Sequence, residues 1–408
     1  MGLASRFSNR PPVLRFLKYA RASWQRLGHL KMLCSVASPA NSYNLEGITS
    51  RFQTSICKLI PVPPESHQQV SDYVRNNRNR EYPDGLPDVI ELQDYFLADP
   101  ELPSHVGALT GRRRPVDYLH MEYVEIPAWA TRLKLLREGN YTLTDRGKIL
   151  GILPKPVNKL VGNKVSFKEN PFHISDGEKY LFLYWLLEAD GDILKRVYKE
   201  TKAKINEMSL ALVGETMLKV LRDLNTTAKL PSNELGSLNN MIKSLENNSN
   251  QVIIPRVEPL VDCQAITRTH LKNYTYSLSK NADLFWDYVN GFSTLDDLFE
   301  YGLAEACISL FGTNSTKSQK NIWHYIADSY LRMRSGLGYC SILELSMLSV
   351  ASAINNHHEY FEIHDVEQSM ISLSKEYGTK VRFTKNRQGN IALVRIDRQL
   401  AESLNAVV

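Results

Sequence analysis

The chain contains no apolar run approaching the roughly 20 residues that cross a bilayer as a helix, so no membrane partner is expected. Cysteine is sparse. Its five copies (Cys34, Cys57, Cys263, Cys307 and Cys340) are odd in number, widely spaced and never in a Cys-x-x-Cys pair. That excludes a disulfide framework and a cysteine zinc site, and it suggests a reducing compartment. No Gly-x-x-x-x-Gly-Lys phosphate loop occurs. Acid is missing from the first 45 residues, which carry Arg6, Arg10, Arg15, Lys18, Arg21, Arg26 and Lys31 before the first carboxylate at Glu46. The formal charge of +5 therefore resides in this tail, and residues 46–408 hold 42 bases against 44 acids. A body that is not basic overall can meet nucleic acid only through local patches.

What is present is a composition of globular type, 43% hydrophobic and 23% charged, in 408 residues. That length is too great for one core of ordinary size and implies two or three domains. The tail has three readings: an organelle transit peptide, an arm that neutralises phosphates, or an extension upstream of a start at Met32. The Met-Gly opening lacks the Ser or Thr of a myristoylation signal, having Arg6 at that position. Residues 34–87, rich in Ser, Pro and Asn, read as a linker with at most one short ordered element and few contacts.

From Asp88 the pattern becomes helical. Val89 to Leu97 gives an apolar face ended by Asp99-Pro100, Ser104 to Leu109 gives a second short helix, and Thr110-Gly111 breaks the chain. A third helix is expected from about Arg112, with Pro115 in its first turn and Val116, Leu119 and Tyr123 facing inward. Leu133, Leu135 and Leu136 then lead into the turn Glu138-Gly139-Asn140, with Tyr141 to Thr144 returning and a closing helix from Asp145. Over these sixty or so residues the sequence resembles the winged helix-turn-helix superfamily, whose second wing strand often reads Tyr-x-Leu-Thr-x-x-Gly before a helix. The resemblance implies double-stranded DNA as partner.

A degenerate second copy is expected. Val116-Asp117-Tyr118-Leu119 is echoed by Val257-Glu258-Pro259-Leu260, and Tyr141-Thr142-Leu143-Thr144 by Tyr276-Ser277-Leu278-Ser279. The offsets of 141 and 135 residues imply a shorter wing, and Pro259 would kink or end the helix. Between the copies, Ser175 to Glu178 fits a capping box, Asp190-Gly191-Asp192 should break the helix it opens, Met208 to Leu224 and Leu235 to Leu245 should be helical, and residues 246–250 should form a loop. Helices are expected at 284–289, 294–311, 322–334, 342–355 and 365–377; Gly378 ends the last, and a hairpin follows from Lys380 to Ile396, a possible third wing. The fold class is thus mainly α with small β-hairpin wings, as tandem winged-helix domains joined by helical blocks. The expected divisions are 1–87, 88–155, 156–290 (with the second copy) and 291–408.

Cations and hydrogen-bonding groups near the start of a reading helix contact phosphates and bases, which selects Arg112, Arg113, Arg114, Asp117 and Tyr118. In the wing, Lys134, Arg137 and Asn140 are the candidates, and in the C-terminal hairpin Lys380, Arg382, Lys385 and Arg387. Catalytic candidates are weak. Gly336-Leu337-Gly338 follows a helix rather than a strand, Asp192, Glu200 and Lys202 lie on a helix rather than on adjacent strands, and His357, His358 and His364 lack further ligands at metal spacing. No cofactor, metal or enzyme activity is implied. The expected function is that of a DNA-binding accessory or recognition subunit of a prokaryotic defence, mobile-element or replication system, or of a transcriptional regulator. It would work with other protein subunits in the cytoplasm at the nucleoid, or in the mitochondrial matrix if the tail is a transit peptide. The alternative is a non-catalytic scaffold that docks proteins on winged-helix surfaces.

Overall fold

The computed structural model describes residues 27–49, 51–52, 125–153, 174–202, 208–227, 232–270, 275–356, 359–386 and 391–406. The expected helices at 89–97, 104–109 and 112–123 lie outside them. Among the described residues the chain is mainly helical with three small sheets. In order, the elements are α1 (Leu27–Val36), α2 (Glu125–Arg132), α3 (Asp145–Ile152), α4 (Asp176–Lys202), β1 (Met208–Ser209), α5 (Leu210–Thr227), α6 (Ser232–Asp262), β2 (Thr267–His270) and β3 (Thr275–Ser277). There follow α7 (Lys280–Gly291), α8 (Leu295–Tyr301), α9 (Leu303–Phe311), β4 (Thr316–Lys317), α10 (Ile322–Met333), β5 (Cys340–Ser341), α11 (Ile342–Asn356) and β6 (Glu359–Tyr360). The chain closes with α12 (Ile363–Tyr377), β7 (Val381–Lys385), β8 (Ile391–Ile396) and α13 (Arg398–Asn405).

Two helices form the centre. From Tyr180 to Leu187 every side chain of α4 is buried, and α11 is buried from Leu345 to Asn355. A helix apolar on all sides must be surrounded, and α4 is packed by α5, α7, α8, α9 and α11. The expected capping box opens α4: the Ser175 amide donates to Glu178 at 2.7 Å and the Glu178 amide to Ser175 Oγ at 3.3 Å. Gly177 lies so close to α11 that a Cβ there would stand 2.3 Å from the Ala351 carbonyl. The α11 serines satisfy their hydroxyls locally, Ser346 on the Ile342 carbonyl and Ser349 on that of Leu345.

Several expectations are corrected. At the start of the linker the expectation of few contacts is corrected: α1 extends to Val36, the short ordered element is the helical stretch at 45–49 and 51–52, and Cys34, Ile48 and Phe52 are buried, while residues 53–87 lie outside the described residues. No break occurs at Asp190-Gly191-Asp192, because Gly191 is buried against Leu295 of α8 and Asp190 is buried beside Arg256 of α6. Residues 246–250 are inside α6, which runs through Pro259 to Asp262 and keeps Leu245, Val252 and Ile253 in the core. Conversely the helix expected over 294–311 is two, divided at Gly302, where any side chain would collide with the Phe292 ring.

One unit recurs three times, a helix leading into a two-stranded ribbon and then a capped helix. After α2, Lys134 takes a left-handed conformation (φ 60°), the Leu135 amide donates to the Ala130 carbonyl at 2.8 Å, Leu136 bridges Leu143, and Thr144 caps α3 by accepting from the Gly147 amide. After α6, Gln264 is left-handed (φ 64°), the Ala265 amide donates to the Leu260 carbonyl at 2.9 Å, Thr267 pairs with Ser277, and Ser279 caps α7 through the Ala282 amide. The left-handed residues are 130 apart and the caps 135 apart, so the second ribbon is longer than the first, not shorter. Both non-glycine residues accept the strain of positive φ at the same place in the motif, where glycine is usual. The third unit has Gly378 there (φ 55°), pairs Val381 with Ile396, and caps α13 with Asp397. A short preceding strand adds to the returning strand of the second and third ribbons, giving the orders β1-β3-β2 and β5-β8-β7.

Candidate nucleic-acid interface

Charge is distributed unevenly over the three ribbons. Residues 131–144 hold Arg132, Lys134 and Arg137 against Glu138. Residues 264–282 hold Arg268, Lys272 and Lys280 with no acid, and residues 377–396 hold Lys380, Arg382, Lys385, Arg387 and Arg395 with no acid.

The third ribbon has the most developed geometry. Alternation turns Val381, Val394 and Ile396 into the core and leaves Arg382, Thr384, Leu393 and Arg395 outward. Register places Arg382 directly across from Arg395, with Thr384 across from Leu393. Two like charges opposite each other destabilise a ribbon, and neither guanidinium makes an ion pair with a described residue. Arg382 Nε donates to the Thr379 carbonyl at 2.9 Å, and the Arg395 guanidinium lies 5.9 Å from the Tyr339 ring. Lys380 and Lys385 stand exposed at the two ends of β7. This is a cationic strip that an anion would stabilise.

In the first ribbon the expected residues have separate duties. Lys134 pairs with Glu188 at 3.0 Å, and the same carboxylate holds the buried Arg146, whose guanidinium also lies 5.8 Å from the Trp185 ring. Burial opposes ionisation of Glu188, but Arg146 and Lys134 outweigh it and hold the carboxyl below the usual range. Asn140 shapes the turn: its Oδ1 accepts from the Thr142 amide and hydroxyl. Arg137 is exposed and remains available. Arg112, Arg113, Arg114, Asp117, Tyr118 and Arg387 lie outside the described residues. Comparison with protein-family models, with curated proteins and with solved structures finds no match. The site must be read from its own chemistry.

The helix before the third ribbon presents little of its N-terminus. Glu362, which precedes α12, is 1% exposed and accepts from the Ala304 and Glu305 amides at the start of α9, while its own amide donates to Asp365. His364 packs 4.7 Å from Tyr301. What α12 exposes is Gln368, Ser372, Lys375 and Glu376, with no cationic bias.

The weak catalytic candidates find structural uses. Glu200 pairs with Lys219, and Lys202 with Asp283 and Asp287, so these charges tie α4 to its neighbours α5 and α7. His357 and His358 lie outside the described residues, among which no group of His, Cys, Asp and Glu could hold a metal. Burial pushes the Cys34 and Cys340 thiols up to about 12, and those of Cys263 and Cys307 up as well, away from thiolate chemistry. No helix among the described residues is long and apolar enough to cross a membrane.

Sequence reasoning passed over Arg334 near the third ribbon and met Leu337 and Tyr339 only as part of a weak dinucleotide fingerprint. Tyr339 immediately precedes β5, the strand that pairs with β8. No local signal places the loop after α10 beside β8, which follows much later in the chain. Arg395 was legible from the alternation of Ile391 to Ile396.

Proposed function

We propose that the chain is a non-catalytic DNA-binding protein of tandem winged-helix units, serving as an accessory or recognition subunit or as a regulator. The wiring supports the unit: helix, short strand, two helices and a ribbon, with the short strand on the returning strand of the ribbon, is the winged-helix order and occurs at β1-β3-β2 and β5-β8-β7. The observation that carries the DNA reading is the opposed pair Arg382 and Arg395, exposed, without a carboxylate partner among the described residues, in a ribbon whose sequence is free of acid. Such a strip fits phosphates, whose neutralisation releases counterions.

Fluorescence anisotropy of the full chain on random duplex DNA across a salt series tests this. Arg382→Ala with Arg395→Ala should weaken binding uniformly across sequences and flatten the plot of log affinity against log salt by about two units. Absence of binding even at low salt would favour the second reading, a docking scaffold. A specific observation supports that alternative: α8 and α9 cover the N-terminal end of α12, which a groove-reading helix would expose.

A further inference from the structure

We propose that Leu337 is a wedge that enters the duplex between neighbouring base pairs, while Arg395, Arg382 and Arg334 hold the flanking phosphates, so that bound DNA is bent. The inference rests on the DNA reading and adds a deformation that phosphate contacts alone do not require.

Leu337 is 81% exposed, far more than any other large hydrophobic residue among the described residues. It sits at the tip of the loop from α10 to β5, and that tip is pinned. The Gly338 amide donates to the Ser335 carbonyl at 2.9 Å, Ser335 Oγ to the Tyr339 carbonyl at 3.3 Å, and the Tyr330 hydroxyl to the Gly338 carbonyl at 2.6 Å. Gly338 has φ 74°, which closes the turn where a side chain would be strained. A leucine on a loose loop would lose conformational entropy on binding, whereas one on a hydrogen-bonded turn is ordered beforehand.

The surroundings choose the occupant. Arg395 Nε lies 3.5 Å from where a Cβ on Gly338 would be, so the guanidinium is against the turn, and Arg382 is across the ribbon from it. Arg334 leaves the end of α10, its amide on the Tyr330 carbonyl. Burial pushes the Tyr330 phenol up, and both Arg334 and Arg395 oppose that push, so both cations act on the hydroxyl that pins the turn. Among the described residues none of these three arginines has an ion-pair partner. An exposed leucine with the Arg395 guanidinium against its turn, and Leu393 outward on the same strand as that arginine, matches proteins that unstack one base step with a leucine or similar wedge. It offers too little apolar area for stable anchoring to a bilayer, which takes more than one such signal.

The experiment uses the full chain and a duplex of about 25 base pairs labelled at both ends for energy transfer, a length over which bending is measurable. Wild type should raise transfer on binding. Leu337→Ala and Leu337→Lys, at an exposed position and with circular dichroism and thermal midpoint unchanged, should leave transfer at the value of free DNA when the duplex is saturated with protein. Binding by wild type without a change in transfer, or equal bending by both variants, overturns the wedge while leaving the DNA reading intact. No binding by wild type at low salt overturns both. Binding to phosphatidylserine vesicles that is lost in Leu337→Ala, with duplex bending retained, would assign the turn to a lipid surface instead.

Discussion

At the scale of single residues, the molecule buries titratable groups where solvent cannot reach them, and Glu362 is the clearest case. Its carboxylate accepts two amides at the start of α9, yet burial outweighs them and pushes its pKa up to about 7. The folded state therefore holds this proton more tightly than the unfolded chain, where a glutamic acid titrates near 4.3. The stabilisation is complete below about pH 4 and is lost as pH rises through about 7. Thermal unfolding should show the wild-type midpoint falling between about pH 4 and 7, with Glu362→Gln flatter across that window; identical profiles would remove Glu362 as the cause. The Asp190–Arg256 pair behaves alike, since burial pushes Asp190 up to about 6 and Arg256 down to about 10 against their mutual attraction. Removing one member of a buried pair leaves the other uncompensated. Arg256→Ala should lower stability by about 3–5 kcal/mol in chemical denaturation.

At the scale of elements, close approach explains which glycines matter. Gly177→Ala would press a methyl against the Ala351 backbone and force α4 from α11, costing about 1–3 kcal/mol. Gly151→Ala, in α3 with nothing within 4 Å, should instead stabilise by about 0.5–1 kcal/mol. Denaturation of the two variants checks the opposite signs. The same distinction accounts for what was legible in the sequence. The capping box at Ser175, the hairpin of β7 and β8 and the stop at Gly378 are local, and their residues announce them. The continuity of α4 through Gly191 and of α6 through 246–250 depends on Leu295, Arg256 and other partners distant in sequence, so the local breakers mislead. The second ribbon was recognised, but aligned on Val257 instead of on the left-handed Gln264, which has no glycine to mark it. The candidate site was half legible: the basic hairpin was, and the Leu337 turn beside it was not.

At the scale of the whole molecule, the proposed DNA binding raises the question whether one ribbon or three would meet the duplex. The three acid-poor ribbons carry eleven bases against one acid in a body that is otherwise acidic, and each ends on a helix capped by Thr144, Ser279 or Asp397. Repetition of the unit with its charge bias retained argues that the bias serves all three copies, not the third alone. The first ribbon offers a clean test, because Glu188 neutralises Lys134 and Arg146 and leaves Arg137 facing solvent. If the ribbons share one duplex, Arg137→Ala should flatten the salt dependence by about one unit on a long duplex, and Lys134→Ala should flatten it by less. If only the third ribbon binds, Arg137→Ala leaves the slope unchanged while Arg382→Ala still reduces it. Anisotropy titrations of these three variants at several salt concentrations decide between a distributed surface and a single contact.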